Sequence, residues 1–320
     1  MSHLTLEQRY TIEVLLNQGF SQKDIANFIN RDKSVVSREI RRNRDERSGQ
    51  YRKDLAQRKY EKRLFDKPKK IYFTDAIRTM VEEKLSQKLS PEQIVGICKK
   101  ADIACVSVER IYQHIWKDKK KKGNLHEHLR TGGKRYRKRG SGKDSRGIIK
   151  DRIPIGERPP EVEEKQRFGD LEIDTIIGKN HKGAIVTIND RATGMLKMKK
   201  VDSKEAQAVK EAALELLKEW KPYLHTITAD NGKEFALHKS ISEELDIAFY
   251  FATPYHSWER GANENLNGLI RQYIPKKTNF ETVSDDFVLY VEEELNNRPR
   301  KRYNYESPKS MFNQKVAFVT

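Results

Sequence analysis

The sequence predicts a multidomain protein in which all-α helix-turn-helix regions precede an α/β domain with a mixed five-stranded sheet. The first observation is length, because 320 residues suffice for roughly two or three domains. The second is charge: residues 1–159 hold 40 basic and 21 acidic side chains, whereas residues 160–320 hold 24 and 26. The third is the pattern, which changes from short helices to alternating strands and helices after residue 160. A basic half joined to a near-neutral half indicates a polyanion-binding part and a separately folded part, although a basic surface without a partner stays open.

Composition excludes several classes of protein. No apolar run approaches the ~20 residues of a membrane-spanning helix. The N-terminus has no charged stretch followed by an apolar core, so a secretory signal is not expected. Hydrophobic residues make up 36% of the chain, which is too many for a disordered protein. Because Cys98 and Cys105 are the only cysteines, neither a four-ligand zinc site nor a disulfide scaffold is expected. We therefore expect a cytoplasmic protein.

Residues 4–44 have the pattern of three short helices. Thr5 and Ser21 are placed to cap the first two, and a tight turn precedes the third. A helix that follows a turn and carries serine and arginine on its outer side suits the DNA major groove. The predicted DNA-binding residues are Lys33, Ser34, Ser37, Arg38, Arg41 and Arg42. We place this domain at residues 1–48 and a basic linker at 49–70. A three-helix bundle with a merely solvated basic face is the alternative.

Residues 71–118 repeat this pattern. Ser90-Pro91-Glu92-Gln93 is a strong helix start, because it combines a cap, a proline in the first turn and a capping-box glutamine. Ser107 opens the next predicted helix, in which Arg110 is the candidate DNA contact. The net charge of this segment is zero. A packing or dimerisation module is therefore as plausible as a second DNA reader.

Residues 119–159 are predicted to form a basic flexible arm. Glycines and basic side chains dominate its centre, a composition typical of extended segments that follow a phosphate backbone. The candidate DNA contacts there are Lys134, Arg135, Arg137, Lys138 and Arg139. A solvated linker is the alternative.

Residues 160–320 are predicted to form the α/β domain. Five apolar segments have the length and composition of strands. They are 171–177, 184–189, 195–201, 225–229 and 247–251. Helices are predicted at 203–220, 233–245, 261–273 and 284–296. Three antiparallel strands followed by helix, strand, helix and strand describe one central mixed sheet.

Three carboxylates are candidates for catalysis. Asp174 lies within an apolar strand, Asp230 lies just past another strand, and Glu264 lies in the first turns of a helix. Carboxylates without histidine or cysteine partners suit a hard divalent cation such as Mg²⁺. From composition alone the trio is not unique among 47 acidic residues. A strand-edge ion pair, a turn former and a helix-surface acid are the respective alternatives.

Ordered motifs surround these carboxylates: GDLEID at 169–174, TADNGKEF at 228–235 and ERGANEN at 259–265. Further blocks lie at 6–43, 90–94, 275–277 and 295–301. Together they closely resemble the signatures of the IS30 family of bacterial insertion-sequence transposases, over nearly the whole chain. The 33 residues between Asp230 and Glu264 match that family's spacing. Leu171 departs from the pattern, since an aromatic residue is expected there.

The resemblance implies an RNase H-like fold and the DDE class of enzymes. Asp174, Asp230 and Glu264 would be the metal-binding catalytic triad, with two Mg²⁺ ions that Mn²⁺ could replace. Phosphates near the scissile bond would contact Arg260, Arg271, Lys276 and Lys277, each of which is otherwise a surface charge. Asn231 and Asn263 would orient the neighbouring carboxylates, with turn and cap chemistry as the alternative.

The implied activity is metal-dependent cleavage and transfer of DNA strands. The helix-turn-helix regions would bind the terminal inverted repeats of an insertion sequence, and the protein would also bind target DNA. Because two ends must be joined, a homodimer or larger assembly on DNA is expected, in the bacterial cytoplasm and on the nucleoid. Two rival functions predict different behaviour: a transcriptional repressor would bind without cutting, and an RNase H-like endonuclease would cut without joining.

Overall fold

The computed structural model describes residues 3–66, 72–132, 149–254, 256, 259 and 261–316. The chain divides into two compact units, Met1–Tyr72 and Phe73–Thr320. Among the described residues, no helix combines the length and the apolar character that crossing a membrane requires.

The described part of the first unit contains four helices: α1 (Leu6–Asn17), α2 (Gln22–Phe28), α3 (Lys33–Asn43) and α4 (Lys53–Asp66). Thr5, Ser21 and Asp32 cap the first three by accepting hydrogen bonds from main-chain N–H groups. The core is formed by fully buried side chains from all four helices: Ile12, Ile25, Val36 and Ala56. Residues assigned to the predicted linker thus form a fourth helix, because Ala56 is an integral part of this core.

The second unit begins with three further helices: α5 (Asp75–Ser86), α6 (Pro91–Lys100) and α7 (Val108–Lys120). Ser90 and Gln93 form the predicted capping box at the start of α6. Val81, Ile94 and Ile111 bring the three helices to one core and are fully buried. A 3₁₀ turn at Leu125–His128 follows.

This helical module is docked on the C-terminal part of the same unit. Gln93 Nε2 donates to the Pro299 carbonyl oxygen at 2.6 Å. The buried Arg298 donates to Gln272 Oε1 at 2.8 Å, to Gln93 Oε1 at 3.3 Å and to the Lys88 carbonyl oxygen. Gly96 lies against the Tyr305 ring so closely that an added Cβ would be 2.1 Å from Tyr305 Cζ. The packing role that the sequence left open for this segment is therefore present.

A single mixed sheet forms the centre of the second unit. Its six strands are β1 (Ile153–Pro154), β2 (Asp170–Ile177), β3 (Ala184–Asp190), β4 (Leu196–Val201), β5 (Thr226–Ala229) and β6 (Ala248–Phe251), in the order β1-β6-β5-β2-β3-β4. The strands β2, β3 and β4 are antiparallel, whereas β2, β5, β6 and β1 pair in parallel. The five predicted strands and their single mixed sheet are confirmed. The two-residue β1 is an addition that the sequence analysis did not predict.

Helices cover both faces of the sheet. They are α8 (Glu161–Glu164), α9 (Ala206–Leu217), α10 (His238–Leu245), α11 (Gly261–Ile270), α12 (Asp285–Asn297) and α13 (Pro308–Val316). Leu171 and Ile173 of β2 pack in one core with α9 and α10. Ile176 faces the opposite way and packs in a second core with α11 and α12. Because side chains alternate along a strand, this assignment also places Asp174 on the α11 side.

Candidate active site

Strand register brings Asp174 and Asp230 to the same end of the sheet. In the parallel pair formed by β2 and β5, Glu172 is opposite Thr228. Asp174 and Asp230 each follow two residues later, so they occupy equivalent positions just beyond the paired stretch, within β2 and immediately after β5. The carboxyl ends of strands are the usual location of active sites in α/β sheets.

These two carboxylates line one cavity of about 390 Å³. Its walls come from the ends of β2 and β5 and from the segments that follow β4 and β5. The lining residues are Asp174, Thr175, Ile177, Lys204, Asp230, Gly232, Lys233 and Glu234. Glu264 does not line this cavity. Three carboxylates and two ammonium groups therefore share a small, open space.

Hydrogen bonds fix the orientation of the two aspartates. Asp174 Oδ1 accepts from the N–H of Thr175, and Asp174 Oδ2 accepts from Asn267 Nδ2, both at 2.9 Å. Asp230 Oδ1 accepts from the N–H of Gly232 at 2.8 Å, which closes the turn after β5. Asn231 Nδ2 donates to the Ala252 carbonyl oxygen at 2.6 Å and anchors this turn to the end of β6.

Glu264 lies in the exposed first turn of α11, one helical turn before Asn267. Residues three apart are neighbours on a helix surface, so Glu264 and the Asp174 partner share one side of α11. Arg130 crosses the same helix, since its guanidinium donates to the Asn265 side chain at 2.6 Å and to the Asn265 carbonyl oxygen at 3.0 Å. Burial against the helix lowers the pKa of Arg130, and the negative charge of Glu264 acts in the opposite direction.

An ion cluster joins β2 and β5 two residues before the aspartates; Arg158, Arg191 and Glu172 are buried in it, whereas Glu163 is exposed. Arg191 pairs with Glu172 on β2, and Arg158 donates to Thr228 Oγ1 on β5 at 2.8 Å. Glu163 bridges the two guanidinium groups, contacting Arg158 and lying 3.0 Å from Arg191 Nη2. Burial would raise the pKa of Glu163, but the charges of Arg191 and Arg158 hold it below its usual value. The cluster therefore ties β2 to β5 where the positions of Asp174 and Asp230 are set.

The predicted contacts on α3 all lie at the surface. The exposed side chains are those of Lys33, Ser34, Ser37, Arg38, Arg41 and Arg42. Arg38 Nη2 donates to Ser34 Oγ at 2.8 Å, so these two residues share one face. An exposed basic helix face of this kind is available to a polyanion.

The other predicted phosphate contacts differ in their surroundings. Arg110, Lys276 and Lys277 are exposed. Arg271 instead donates to the carbonyl oxygens of Ile177, at 3.0 Å, and Pro275, at 3.1 Å, and burial lowers its pKa. Arg271 thus ties the end of β2 to the loop after α11. The remaining predicted contacts, Lys134, Arg135, Arg137, Lys138, Arg139 and Arg260, lie outside the described residues.

Sequence reasoning missed three residues of the cavity, Lys204, Lys233 and Glu234. Lys233 and Glu234 lie within the TADNGKEF motif, whose signal was assigned to Asp230 and Asn231. Glu234 Oε1 accepts from Thr175 Oγ1 at 2.9 Å, which links β2 to the segment after β5. Lys204 lies in a loop between β4 and α9 and stands in no motif.

Comparison with known proteins identifies the family. Residues 1–43 match the family described as "Helix-turn-helix domain". The chain is 54% identical over 98% of its length to the transposase for insertion sequence element IS4351 of Bacteroides fragilis, and covers 96% of that protein. It is 33% identical over its full length to transposase InsI for insertion sequence element IS30C of Escherichia coli, and covers 85% of that protein. The chain belongs to the IS30 family of transposases.

Solved structures similar to this IS30-family transposase are integrases. The catalytic core domain of BIV integrase aligns with 47% of the chain and 97% of its own length, at 15% identity and a TM-score of 0.38. A simian T-cell lymphotropic virus intasome aligns with 53% of the chain and 60% of its own length, at 13% identity and a TM-score of 0.40.

Proposed function

We propose that this IS30-family protein is a DNA transposase that cuts and joins strands at the cavity lined by Asp174 and Asp230. The supporting observation is that β2 and β5 deliver these two carboxylates in register to a single cavity. The exposed basic face of α3 supplies a surface for duplex DNA in the same chain. Recognition of the element's terminal inverted repeats is assigned to this helix, with its arginines at base edges and its serines at phosphates or bases.

The donor set at the cavity suits a divalent cation. Carboxylate oxygens are the preferred ligands of Mg²⁺, and Asp174 and Asp230 present theirs to one space. Among the described residues, no three His, Cys, Asp or Glu side chains form a ready-made metal site. Asp174, Asp230 and Glu264 would hold the metal, with Glu264 completing the set from α11. When bound, divalent ions activate an attacking oxygen and stabilise a leaving oxygen at phosphorus.

The reaction has two in-line displacements at phosphorus. In the first, water attacks a phosphodiester at the element end, the P–O3′ bond breaks, and the 3′ oxygen leaves as a hydroxyl. In the second, that hydroxyl attacks a phosphodiester of target DNA, and a new P–O3′ bond replaces the one that breaks. No external energy source is required, because one phosphodiester is exchanged for another.

Side chains of this protein keep the carboxylates aligned through both steps. Asn267 donates to Asp174 and carries the position of α11 to β2, so the helix that bears Glu264 is coupled to the strand that bears Asp174. The Arg158, Glu163 and Arg191 cluster fixes the spacing of β2 and β5 below the cavity. Joining two element ends requires two active sites, so we assign the working form to a homodimer or larger assembly on DNA.

A strand-transfer assay tests this function. The purified chain is mixed with a duplex copied from the end of its own element and with a target plasmid, in Mg²⁺ or EDTA. We expect joined product that requires Mg²⁺ and is lost in Asp230→Asn, because an amide replaces an anionic ligand. Asp246→Asn is the matched control. Asp246 caps α10 in a left-handed conformation that asparagine also adopts.

Other outcomes would assign another function. Specific DNA binding without cleavage or joining would make the protein a repressor. Cleavage without joining would make it an endonuclease. Equal product from wild type and Asp230→Asn would remove Asp230 from the catalytic set.

A further inference from the structure

We infer that Lys204 and Lys233 form a binding site for a DNA backbone phosphate at the mouth of the active-site cavity. This inference rests on the proposed function and adds two positioning residues to it. Both lysines line the cavity that contains Asp174 and Asp230. The inference is carried by their placement, by their lack of ionic partners among the described residues and by the charge of the cavity.

Two separate segments bring the lysines together. Lys204 lies three residues after β4, in the loop that leads into α9. Lys233 lies three residues after Asp230, in the 3₁₀ turn Lys233–Phe235. Val209 of α9 and Phe235 of that turn are fully buried in the same core. This packing places the beginning of α9 beside the turn, so both ammonium groups border one cavity.

Neighbouring lysines form ion pairs with their own chain. Lys197, Lys200 and Lys210 lie 3.7, 3.5 and 2.6 Å from carboxylate oxygens of Glu219, Asp285 and Glu244. Within the described part of the chain, Lys204 and Lys233 have no carboxylate within 4 Å and no side-chain hydrogen bond. Both residues are exposed. Their charges are therefore free to meet an anion from solution.

Glu234, which supplies the third carboxylate of the cavity, interacts with its own chain. Glu234 accepts the Thr175 hydroxyl group. It also lies over Gly232, where an added Cβ would be 2.5 Å from its Cδ atom. Glu234 is thus held by its own chain, and the two lysines remain available.

Charge complementarity identifies the ligand as a phosphodiester. The cavity walls carry three carboxylates and two ammonium groups, so an anionic substrate is repelled unless cations offset the acids. Lysine offers three donors on a flexible stem and binds phosphate as a point charge. Arg271, which the sequence assigned to this task, is already hydrogen-bonded to two main-chain carbonyl oxygens. Lys204 and Lys233 are better placed to hold the phosphate against the carboxylates.

The first test measures DNA binding without catalysis. The full chain, as wild type, Lys204→Ala and Lys233→Ala, is titrated with a fluorescent 40-base-pair duplex from the element end, in Ca²⁺ and at several salt concentrations. Removing one lysine that neutralises a phosphate should reduce the slope of log affinity against log salt by about 0.9. Lys218→Ala is the control, because Lys218 is an exposed lysine at the far end of α9, about 18 Å away.

The second test measures cleavage of the same duplex in Mg²⁺. Loss of one charge-assisted hydrogen bond should lower kcat/KM about 10- to 100-fold. Lys204→Arg and Lys233→Arg should restore most of the rate, because they retain the charge. Melting temperatures should be unchanged, since both lysines are exposed.

The outcomes separate this inference from the proposed function. Wild-type cleavage with unchanged salt slopes in both alanine variants would overturn the phosphate site and leave the transposase standing. Reduced slopes in a wild-type protein that cuts no DNA would support the phosphate site and overturn the proposed function. An equal loss in Lys218→Ala would show a general charge effect and would also overturn the site.

Discussion

The helix-turn-helix region at residues 1–43 and the helical module at residues 71–118 have similar local sequence signals and different surroundings. In the first, α3 presents an exposed basic face, and residues 31–70 carry 16 basic and 7 acidic side chains. In the second, the segment 71–118 has no net charge, and α6 is docked on the C-terminal part of its unit through Gln93 and Arg298. Capping boxes and helix lengths alone do not distinguish a DNA reader from a packing module. The distribution of charge and the packing partner of α6 distinguish the two regions.

The sharpest test of this comparison is removal of arginines from each region. Arg38→Ala with Arg41→Ala should weaken specific binding of element-end DNA by about 3 to 4 kcal/mol, roughly 100- to 1000-fold, because the arginines no longer reach base edges. Arg110→Ala in α7 should reduce affinity less than tenfold. Fluorescence anisotropy with competitor DNA measures both. Equal losses in the two regions would make α7 a second reader.

The interface between the α5–α7 module and the C-terminal part of the second unit should be more important for stability than for DNA binding. Arg298→Ala should lower the free energy of unfolding of the second unit by about 4 kcal/mol, because partly buried acceptors on Gln272 and Lys88 lose their donor. Lys301→Ala removes only the exposed pair with Glu92 and should have a much smaller effect on stability, because solvent screens exposed ion pairs. Calorimetry measures both. Comparable losses of stability in the two variants would mean that exposed pairs at the edge of the interface stabilise it as much as Arg298 does.

One carboxyl group in each unit, Asp190 in the second and Asp32 in the first, should respond to acid in opposite directions. Burial raises the pKa of Asp190 to about 6, so between about pH 4 and 6 the folded state binds more protons than the unfolded chain. The contribution of this group to stability therefore falls as the pH rises through that range, by about 3 kcal/mol at most. Hydrogen bonds from Ser34 lower the pKa of Asp32, so its contribution is lost as the pH falls below about 4.

Urea unfolding between pH 3 and 7 checks this contrast. The difference between wild type and Asp190→Asn should change across pH 4 to 6. The difference between wild type and Asp32→Asn should change only below that range. A pH-independent difference for Asp190→Asn would show that this carboxyl group titrates normally.

The smallest expected effect on stability comes from the N-terminal cap of α3. Asp32→Ala removes the acceptor for the Ser34 N–H at 2.8 Å and should destabilise the first unit slightly, because α3 loses its N-terminal cap. Ser107→Ala at the start of α7 should have a similar cost in the second unit, since it is the same kind of cap. Only the Asp32 change should also weaken DNA binding, because only α3 is assigned to reading. Circular dichroism melts and anisotropy separate the two.

Periodicity and motif spacing predicted the strands that carry Asp174 and Asp230, because alternating apolar residues specify both the strand and its buried face. The proximity of these two aspartates followed from parallel pairing of β2 with β5. The position of Glu264 relative to the cavity could not be predicted, since it depends on how α11 packs against the sheet after the loop that follows β6. The assignment of Glu264, like the domain boundaries, stays a prediction.

Side-chain contacts between residues far apart in the chain could not be predicted from the sequence. Arg158 and Arg191 appeared as unremarkable charges, yet they join Glu163 and Glu172 beneath the active site. Arg271, which is predicted to contact a phosphate, donates to two main-chain carbonyl groups that no sequence pattern indicated. The strand β1 has two residues and no periodic pattern, so no local signal indicated it. Such features depend on tertiary contacts between residues far apart in the chain.

The ion cluster of Arg158, Glu163, Glu172 and Arg191 also determines which fragments of this protein can be studied in isolation. A fragment starting at residue 160 would lack both Arg158 and β1. Thr228 would lose its donor, and β6 would become an unprotected sheet edge, a recognised source of aggregation. A fragment that begins at residue 149 retains both. A usable fragment of the C-terminal half must therefore begin upstream of its first recognisable motif, GDLEID at 169–174.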